Sequence, residues 1–413
     1  MKARLLILSL VVAAILGIFL AAPVAAEWTY DLEVSVPYPI YTYRYDEGVI
    51  SVSAFDNGTL TAYIYVYDTD LTELKSFNIS VNGGPTAHAY SDGLVVLTAA
   101  NGASNEDIFI INASDGSIVA NYTFSPAGEG YVQTYALEIA GDYIYQLMYD
   151  SNLSTYFLQI YNSTGDVVNA YDLGAAAVLA KVENSDYLVV WNGTTYLNIT
   201  DGAAGDIATV DTVELGLSDL MYVAAWFDPS ENATYIAFTN STGTYLAKHI
   251  INGSTEYVIA LDTAPMAVMY VGPATDGIYV VTADSYGYRV VDSTVKKEYI
   301  PPNAFGHALG SEYLFSVDID NNVIYRWLLE VVTQTVTTTE TVTSTVTTTT
   351  TVTTTEFVTA TTTETQVVYV YTGAETETTT VTVQGPYTEM DLLFVGIITF
   401  ILGLAAAYLI TRR

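Results

Sequence analysis

Residues 107–124 read DIFIINASDGSIVANYTF, in which two alternating apolar runs flank a short turn rich in Asn, Asp and Gly. Alternation with a period of two predicts strands, and a short polar connection between two such runs predicts a β-hairpin. The same pattern recurs at residues 156–173 (YFLQIYNSTGDVVNAYDL) and 244–261 (TYLAKHIINGSTEYVIAL). The sequence therefore predicts a fold built from repeated hairpins.

A further alternating strand belongs to each hairpin, and these strands begin near residues 49, 93, 143, 187, 235, 278 and 313. A repeat of about 35 to 50 residues that contains strands and no helical pattern is typical of a β-propeller with four strands in each blade. The sequence thus predicts an all-β fold, a seven-bladed β-propeller over residues 27–330.

The seventh repeat supplies only three predicted strands, at residues 304–309, 313–317 and 323–329. Residues 27–35 (EWTYDLEVS) are similar to the last strand of other repeats, for example residues 167–173 (VVNAYDL). We therefore expect the N-terminal strand to complete the seventh blade, which would leave no open edge in the ring.

The two ends of the chain predict secretion and membrane anchoring. Residues 1–26 combine Lys2 and Arg4, an apolar run and small residues at positions 24–26, the pattern of a signal peptide, with an uncleaved anchor as the alternative. Residues 331–390 are rich in threonine and predict an extended, glycosylated stalk. Residues 391–413 contain an uncharged stretch at 392–410 (LLFVGIITFILGLAAAYLI) that is long enough for one transmembrane helix, and Arg412 and Arg413 predict a cytoplasmic C-terminus.

The turns that open at Asn112 and Asn162 and close at Gly116 and Gly165 resemble those of YVTN-type and quinoprotein-like propeller repeats of prokaryotic surface proteins. Together with the threonine-rich stalk and the C-terminal anchor, they resemble archaeal cell-surface proteins. That family contains enzymes, carbohydrate binders and scaffolds, so the resemblance implies a fold and selects no function. The tryptophans do not recur at one repeat position, so no bound quinone is expected.

The composition limits the partners of the protein. The formal net charge is −33, and four of the 12 basic residues lie in the two terminal segments, so the region between them is more acidic still. Such a surface repels nucleic acids and anionic lipid headgroups and favours cations and basic partners. The absence of cysteine excludes disulfides and thiol chemistry.

Asn-x-Ser/Thr sequons predict N-glycosylation of the ectodomain, although Asn, Ser and Thr are also common turn residues. The eleven sequons begin at Asn57, Asn78, Asn112, Asn121, Asn152, Asn162, Asn192, Asn198, Asn232, Asn240 and Asn252. No sequon follows Asn252 within the predicted propeller, so residues 262–330 are predicted to form a glycan-free contact face. Its basic residues, the interface candidates, are Arg289, Lys296, Lys297 and Arg326.

The sequence contains two candidate ligand sites, a calcium loop and the axial channel. Asp318, Asp320 and Asn322 have the alternate spacing of a calcium loop, but the glycine expected at its sixth position is replaced by Val323, and a simple hairpin turn is the alternative. No other cofactor is expected.

The second candidate site is the axial channel. His88 and His307 fall on first strands of their repeats, which line the channel of a propeller, and we expect them to converge there with Arg44 or Lys181. An isolated histidine on a strand is also commonly a hydrogen-bonded packing residue. The many tyrosines would form a stacking surface for sugars if exposed, or pack between blades if buried.

The predicted function is that of a membrane-anchored, glycosylated cell-surface propeller that acts as a binding or scaffold module of the cell envelope, with envelope proteins or glycans as partners. The alternatives are an extracellular hydrolase acting on polysaccharide or peptide, and a substrate-capture protein for a transporter. Enzymatic activity is not favoured, because the sequence contains no Gly-x-Ser-x-Gly elbow, phosphate-binding loop or zinc-type histidine pair.

Overall fold

The computed structural model describes residues 28–46, 48–91, 93–216, 219–308 and 313–329, together with short strands of the threonine-rich tract. The chain divides into two compact units, of which one is Trp28–Leu329 and the other contains the two terminal segments. In the described part of Trp28–Leu329, one 3-10 turn, Gly202–Ala204, accompanies the strands. The prediction of an all-β fold is confirmed.

The strands of the Trp28–Leu329 unit are numbered β1 to β28 in chain order. The first fourteen are β1 (Trp28–Ser35), β2 (Ile40–Asp46), β3 (Val49–Asp56), β4 (Thr61–Tyr67), β5 (Glu73–Ser80), β6 (Pro85–Tyr90), β7 (Leu94–Asn101), β8 (Asn105–Asn112), β9 (Ile118–Phe124), β10 (Val132–Ala140), β11 (Tyr143–Asp150), β12 (Thr155–Asn162), β13 (Val167–Gly174) and β14 (Val178–Glu183). The others are β15 (Tyr187–Trp191), β16 (Tyr196–Asp201), β17 (Thr209–Glu214), β18 (Tyr222–Asp228), β19 (Ala233–Asn240), β20 (Gly243–Ile250), β21 (Thr255–Asp262), β22 (Val268–Ala274), β23 (Gly277–Thr282), β24 (Tyr286–Val291), β25 (Thr294–Tyr299), β26 (Ala304–Ala308), β27 (Tyr313–Asp318) and β28 (Val323–Leu329).

Consecutive strands pair in antiparallel meanders of four, which we call repeats. The first repeat is β2 to β5, the second β6 to β9 and the third β10 to β13. The fourth is β14 to β17, the fifth β18 to β21, the sixth β22 to β25, and the seventh contains β26, β27, β28 and β1. The second strand of each repeat begins within two residues of the position predicted from the sequence.

The prediction of seven separate blades is wrong in one respect. The fourth and fifth repeats share one eight-stranded sheet, because β14 pairs in parallel with β18 at Val182↔Ala225 and Glu183↔Trp226. Among the described residues, five separate four-stranded blades accompany this double sheet.

The predicted closure by the N-terminal strand is confirmed. Strand β1 pairs antiparallel with β28 from Trp28↔Leu329 to Ser35↔Val323, with a shift of register at Asp31. This pairing places β28 in the interior of its sheet and leaves the N-terminal strand at the outer edge. The first and last segments of the unit are thereby joined by a ladder of backbone hydrogen bonds.

The first strands of the repeats contact one another in chain order, from β2 through β6, β10, β14, β18 and β22 to β26, and β26 contacts β2. They therefore form a closed circle within the unit. The second strands are buried on both faces, and the last strands are largely exposed. Apolar side chains fill the spaces between neighbouring repeats, as Ile50 and Val52 of the first repeat do against Phe315 and Val317 of the seventh.

The other unit is described only by short strands in the threonine-rich tract. They are β29 (Val332–Thr333), β30 (Thr335–Val336), β31 (Glu340–Val346), β32 (Thr354–Ala360), β33 (Tyr369–Val370) and β34 (Thr380–Val381). β31 pairs antiparallel with β32, β29 pairs with β33, and β30 pairs with β34. The predicted signal peptide and the predicted transmembrane segment at 392–410 lie outside the described residues. Within the described residues, no helix has the length and apolar character needed to cross a bilayer.

The turn at Gly165 provides a test of how neighbouring repeats pack. Gly165 has φ +87°, and a Cβ there would lie 2.3 Å from the Cβ of Ala120 in the second repeat. Gly174 has φ +83°, and a Cβ added to it would have no atom of another part of the chain within 4 Å. We expect Gly165→Ala to lower the free energy of unfolding by about 1–3 kcal/mol more than Gly174→Ala. Both substitutions place alanine in a left-handed backbone conformation, but only the new Cβ at position 165 would overlap a neighbouring side chain. Urea unfolding of both variants measures this difference, and equal losses would contradict the close contact between repeats.

Candidate functional site

A cavity of about 170 Å³ lies among the first strands of the repeats. Charged side chains line it from β2, β10 and β14, whereas β18, β22 and β26 contribute apolar or aromatic groups such as Val271 and Phe305. One wall is therefore polar and the opposite strands are apolar. Because first strands from six repeats contribute, the cavity is part of the axial channel.

Arg44 is the centre of the polar wall. Its guanidinium donates to the carboxylate of Glu138 and to the backbone oxygen of Leu137, and it lies 3.4 Å from the backbone oxygen of His88. Burial alone would lower the pKa of Arg44, but the negative charges of Glu138 and Asp46 outweigh it and raise the pKa. Arg44 thus links β2 to β6 and β10 as a permanent cation.

Lys181 and two carboxyl groups form the second part of the polar wall. The Nζ atom of Lys181 lies 3.4 Å from the Oδ1 atom of Asp46. The carboxyl groups of Asp46 and Glu183 lie close enough to shift each other's pKa, and the Oε2 atom of Glu183 is buried with no hydrogen-bond partner among the described residues. Residues at alternate positions of one strand point to the same face, which explains why Arg44 and Asp46 on β2 meet Lys181 and Glu183 on β14.

The two carboxyl groups hold their protons differently. Burial and the nearby Asp46 carboxyl group raise the pKa of Glu183 well above its usual range. Burial would also raise the pKa of Asp46, but the neighbouring Glu183 carboxyl group and the charges of Lys181 and Arg44 lower it. Glu183 therefore retains its proton to a higher pH than Asp46 does.

Because the folded pKa of Glu183 is raised, stability from its protonation is fully present below the unfolded pKa of about 4.5 and is lost as the pH rises through the folded value. Glu183→Gln cannot lose a proton in this pH range. We therefore expect the variant to show a smaller fall in melting temperature above pH 4.5 than the wild type. Thermal unfolding between pH 4.5 and 8.5 measures this, with the exposed loop variant Glu129→Gln as control. Parallel curves for wild type and Glu183→Gln would contradict the assignment.

The predicted convergence of four channel residues is only partly met. Arg44 and Lys181 line the cavity, whereas the ring of His88 does not. His88 is buried, and its ring nitrogens bond the hydroxyl groups of Thr42 and Ser51. Burial and the charge of Arg44 lower the pKa of His88 to about 3, so the ring is neutral and acts in packing between the first two repeats.

His307 lines a second, adjacent cavity of about 350 Å³, which shares Tyr45, Glu183 and Tyr270 with the first. Its buried ring lies 4.8 Å from that of Tyr279, measured between centroids. The second cavity continues the channel, so His307 lies along the axis but not beside Arg44.

The interface candidates require a correction, because two of the four are buried. Arg326 is 6% exposed and contacts Asp31 at 2.6 Å and Asp70 at 2.5 Å. Arg289 is 8% exposed and contacts Asp276 at 2.8 Å. In a chain with nearly four carboxylates for each basic residue, these guanidinium groups are neutralised inside the fold and are not available to a partner.

The two lysines of the same predicted face are more accessible but also paired. Lys297 contacts Asp262 at 2.5 Å, and its Nζ atom lies 3.8 Å from the centroid of the Tyr286 ring. Lys296 contacts Glu298 at 3.1 Å and has a largely exposed side chain. The predicted basic contact face is thus reduced to two exposed lysines, each paired with a carboxylate, and glycan-free docking at residues 262–330 is not supported by charge.

The predicted calcium residues form a hairpin turn between β27 and β28. The carboxylate of Asp318 accepts hydrogen bonds from the backbone and side-chain amides of Asn321, at 3.0 and 2.7 Å. The Oδ1 atom of Asn322 accepts from the backbone of Ile40 at 3.1 Å, so it is directed towards the first repeat. Among the described residues, no three His, Asp or Glu side chains are grouped so that they could hold a metal ion. These contacts favour the turn interpretation.

The sequons differ in exposure. The asparagines at 57, 78, 121, 152, 192, 232 and 252 are exposed, and those at 112, 162 and 198 are partly buried. Asn240 is buried, and its Oδ1 atom accepts from the backbone amides of Thr242 and Gly243 at 2.9 and 3.1 Å. A glycan on this amide is incompatible with the folded strand pair, so Asn240 is removed from the predicted acceptor sites.

Sequence reasoning missed Asp46, Glu138 and Glu183. A usable signal was present, because residues 44–46 (RYD) and 181–183 (KVE) place opposite charges two positions apart on strands predicted to line the channel. An isolated charge pair on the inward face of a first strand marks a polar contact with another repeat.

The sheet topology and the circle of first strands define a β-propeller. At a TM-score of 0.51 and 12% sequence identity, the chain is similar to the crystal structure of the mitotic checkpoint complex, over 75% of this chain and 97% of that chain. It also matches BamB from Moraxella catarrhalis (TM-score 0.42, 13% identity, 73% of this chain and 100% of that chain). A third match is the β-propeller domain of Cps50 (Swd1) from Myceliophteria thermophila (TM-score 0.49, 9% identity, 73% and 99%). At these identities the likeness concerns the fold alone. No protein-family model and no curated protein matches the sequence.

Proposed function

We propose that the protein is a membrane-anchored, glycosylated binding or scaffold module displayed on the cell envelope. The observation that carries this proposal is the internal neutralisation of the channel, in which Arg44 is paired with Glu138 and Lys181 with Asp46. Such pairs tie the first strands of the first, third and fourth repeats to one another across the channel, which leaves the outer surface for recognition. Display at the surface is supported by the signal-like N-terminus, the apolar segment at 392–410 and the exposed sequons.

Protease treatment of intact cells tests the location. We expect the full-length chain to be cut from outside while a cytoplasmic marker protein stays intact, and the released fragment to carry N-glycans at exposed sequons. Resistance to protease in intact cells, combined with cleavage after lysis, would overturn the surface location.

Chemical cross-linking on intact cells, followed by purification of the full-length chain, tests the binding role. A specific envelope protein or glycan should be recovered. The yield of a protein partner should fall at raised ionic strength because the surface is strongly acidic, whereas the yield of a neutral glycan should not. Recovery of the chain alone under all cross-linking conditions would argue against a scaffold.

A hydrolase is the second candidate, and the neighbouring carboxyl groups of Asp46 and Glu183 in the channel are the observation that favours it, since the pKa of one is lowered while that of the other is raised. Hydrolysis of a polysaccharide or peptide by the wild type that is lost in Asp46→Asn would establish this function over the scaffold.

A further inference from the structure

A separate cleft of about 540 Å³ lies on the seventh repeat, away from the charged cavity described above. Its lining combines two aromatic rings, Tyr325 and Trp327, with the carboxyl groups of Asp318 and Asp320 and the short polar side chains of Asn303 and Ser316. The volume falls in the range of about 300–1,000 Å³ that is usual for small-ligand sites.

The aromatic part of the cleft is held by neighbouring strands. Tyr325 and Trp327 occupy alternate positions of β28 and therefore share one face of the sheet, and their ring centroids are 6.0 Å apart. The ring of Tyr30, on β1, lies 6.2 Å from both. The indole nitrogen of Trp327 donates to the hydroxyl of Ser316 at 2.8 Å, which fixes the plane of the indole. The rings thus form a rigid platform at the seam where the two ends of the unit meet.

The charges of the cleft limit the ligand. No lysine or arginine is among its described lining residues, and two carboxylates are present, so phosphates, sulfates and uronic acids are repelled. Ionised carboxylates only accept hydrogen bonds, so the ligand must carry several donors. A neutral pyranose has no negative charge and carries several hydrogen-bond donors. The C–H face of its ring packs on an aromatic ring while its hydroxyls donate to the carboxylates.

We propose that this cleft binds a neutral saccharide unit, with Tyr325 and Trp327 as the stacking platform and Asp320 as an acceptor for ring hydroxyls. Asp318 already accepts two hydrogen bonds from Asn321 and serves to hold the turn that positions Asp320. The inference deepens the proposed function, because it names the class of envelope component that the module recognises.

Calorimetric titration of the purified full-length chain tests the proposal with defined probes. Cellobiose, maltose and N,N′-diacetylchitobiose are the neutral saccharides, trigalacturonic acid is the anionic comparison, and tetralysine is the cationic one. We expect at least one neutral disaccharide to bind, with no binding of trigalacturonic acid and little change in affinity between low and high salt.

Variants then locate the binding site. Tyr325→Ala and Asp320→Asn should each weaken the binding of that disaccharide by about tenfold or more, since loss of one stacking or hydrogen-bonding partner is of that order. Tyr196→Ala and Asp142→Asn, at exposed positions outside the cleft, are the matched controls and should bind as the wild type does. Thermal unfolding of each variant separates loss of binding from loss of folding.

Three outcomes would overturn the proposal: no neutral saccharide binds, the cleft variants bind like the controls, or tetralysine binds in a salt-dependent manner that Asp320→Asn abolishes. The last result would identify a site for basic segments of proteins. None of these outcomes affects the protease test of surface location, so the two proposals fail separately.

Discussion

Deletion of residues 27–36 is expected to abolish the cooperative unfolding transition of the Trp28–Leu329 unit. The deletion removes β1, exposes the edge of β28 and takes away the buried indole of Trp28, which packs 6.2 Å from the ring of Tyr279 between centroids. Loss of a buried tryptophan alone costs about 3–5 kcal/mol, a large part of the total stability of about 5–15 kcal/mol of a typical domain. The deletion also removes Asp31 from the buried Arg326.

Differential scanning calorimetry of the full-length and deleted chains measures this loss. Leu32→Thr serves as a control, because Leu32 is 39% exposed and the substitution keeps the backbone ladder, so its effect should stay within about 1 kcal/mol. A synthetic peptide of residues 27–36 should restore the transition, whereas a scrambled peptide should not. An unchanged melting temperature after deletion would show that closure by β1 contributes little.

Arg44→Met is the second substitution with a large expected effect. It leaves Glu138, Asp46 and the backbone oxygen of Leu137 without their guanidinium partner in the channel. Breaking a buried ion pair by removing one partner costs about 3–5 kcal/mol, because the remaining charge stays in a poorly hydrated site. Urea unfolding should therefore show a large drop in midpoint. Lys296→Met should change the stability by less than about 1 kcal/mol, because the Lys296 side chain is exposed and Glu298 keeps Arg289 at 3.7 Å.

A double substitution separates the ion pair from simple packing. Arg44→Met combined with Glu138→Gln removes the uncompensated carboxylate, so we expect it to regain part of the stability lost in Arg44→Met. A double variant that loses the sum of the two single effects would indicate that Arg44 acts through packing alone. A loss below 1 kcal/mol in Arg44→Met itself would contradict the role of the guanidinium as the link between the first three repeats.

The repeats and their closure could be predicted from the sequence because both depend on local periodicity. Strands of period two, turn residues at fixed distances and a missing strand at one end are all visible along the chain. The union of the fourth and fifth repeats was not predictable in this way. It depends on two residue pairs, Val182↔Ala225 and Glu183↔Trp226, which join strands more than 40 residues apart in sequence and have no signature of their own.

The candidate site was predictable only in outline. The inward position of Arg44 and Lys181 follows from their place on first strands, but their partners depend on which repeats face each other across the channel. The positions of Arg289 and Arg326 were missed for a related reason. Counting basic residues in a segment does not show whether strand neighbours supply carboxylates, and both guanidinium groups found them within the fold.

The position of β28 has a mechanical consequence. The chain leaves the Trp28–Leu329 unit through β28, which is hydrogen-bonded to β27 on one side and to β1 on the other. A force that pulls on the chain after Leu329 therefore acts on β28 along both of its hydrogen-bonded ladders. The two ladders must break together, so β28 cannot be detached one hydrogen bond at a time, as a strand paired on one side could be. Tension applied at the C-terminal end of this unit is thus resisted where its first and last strands pair with each other.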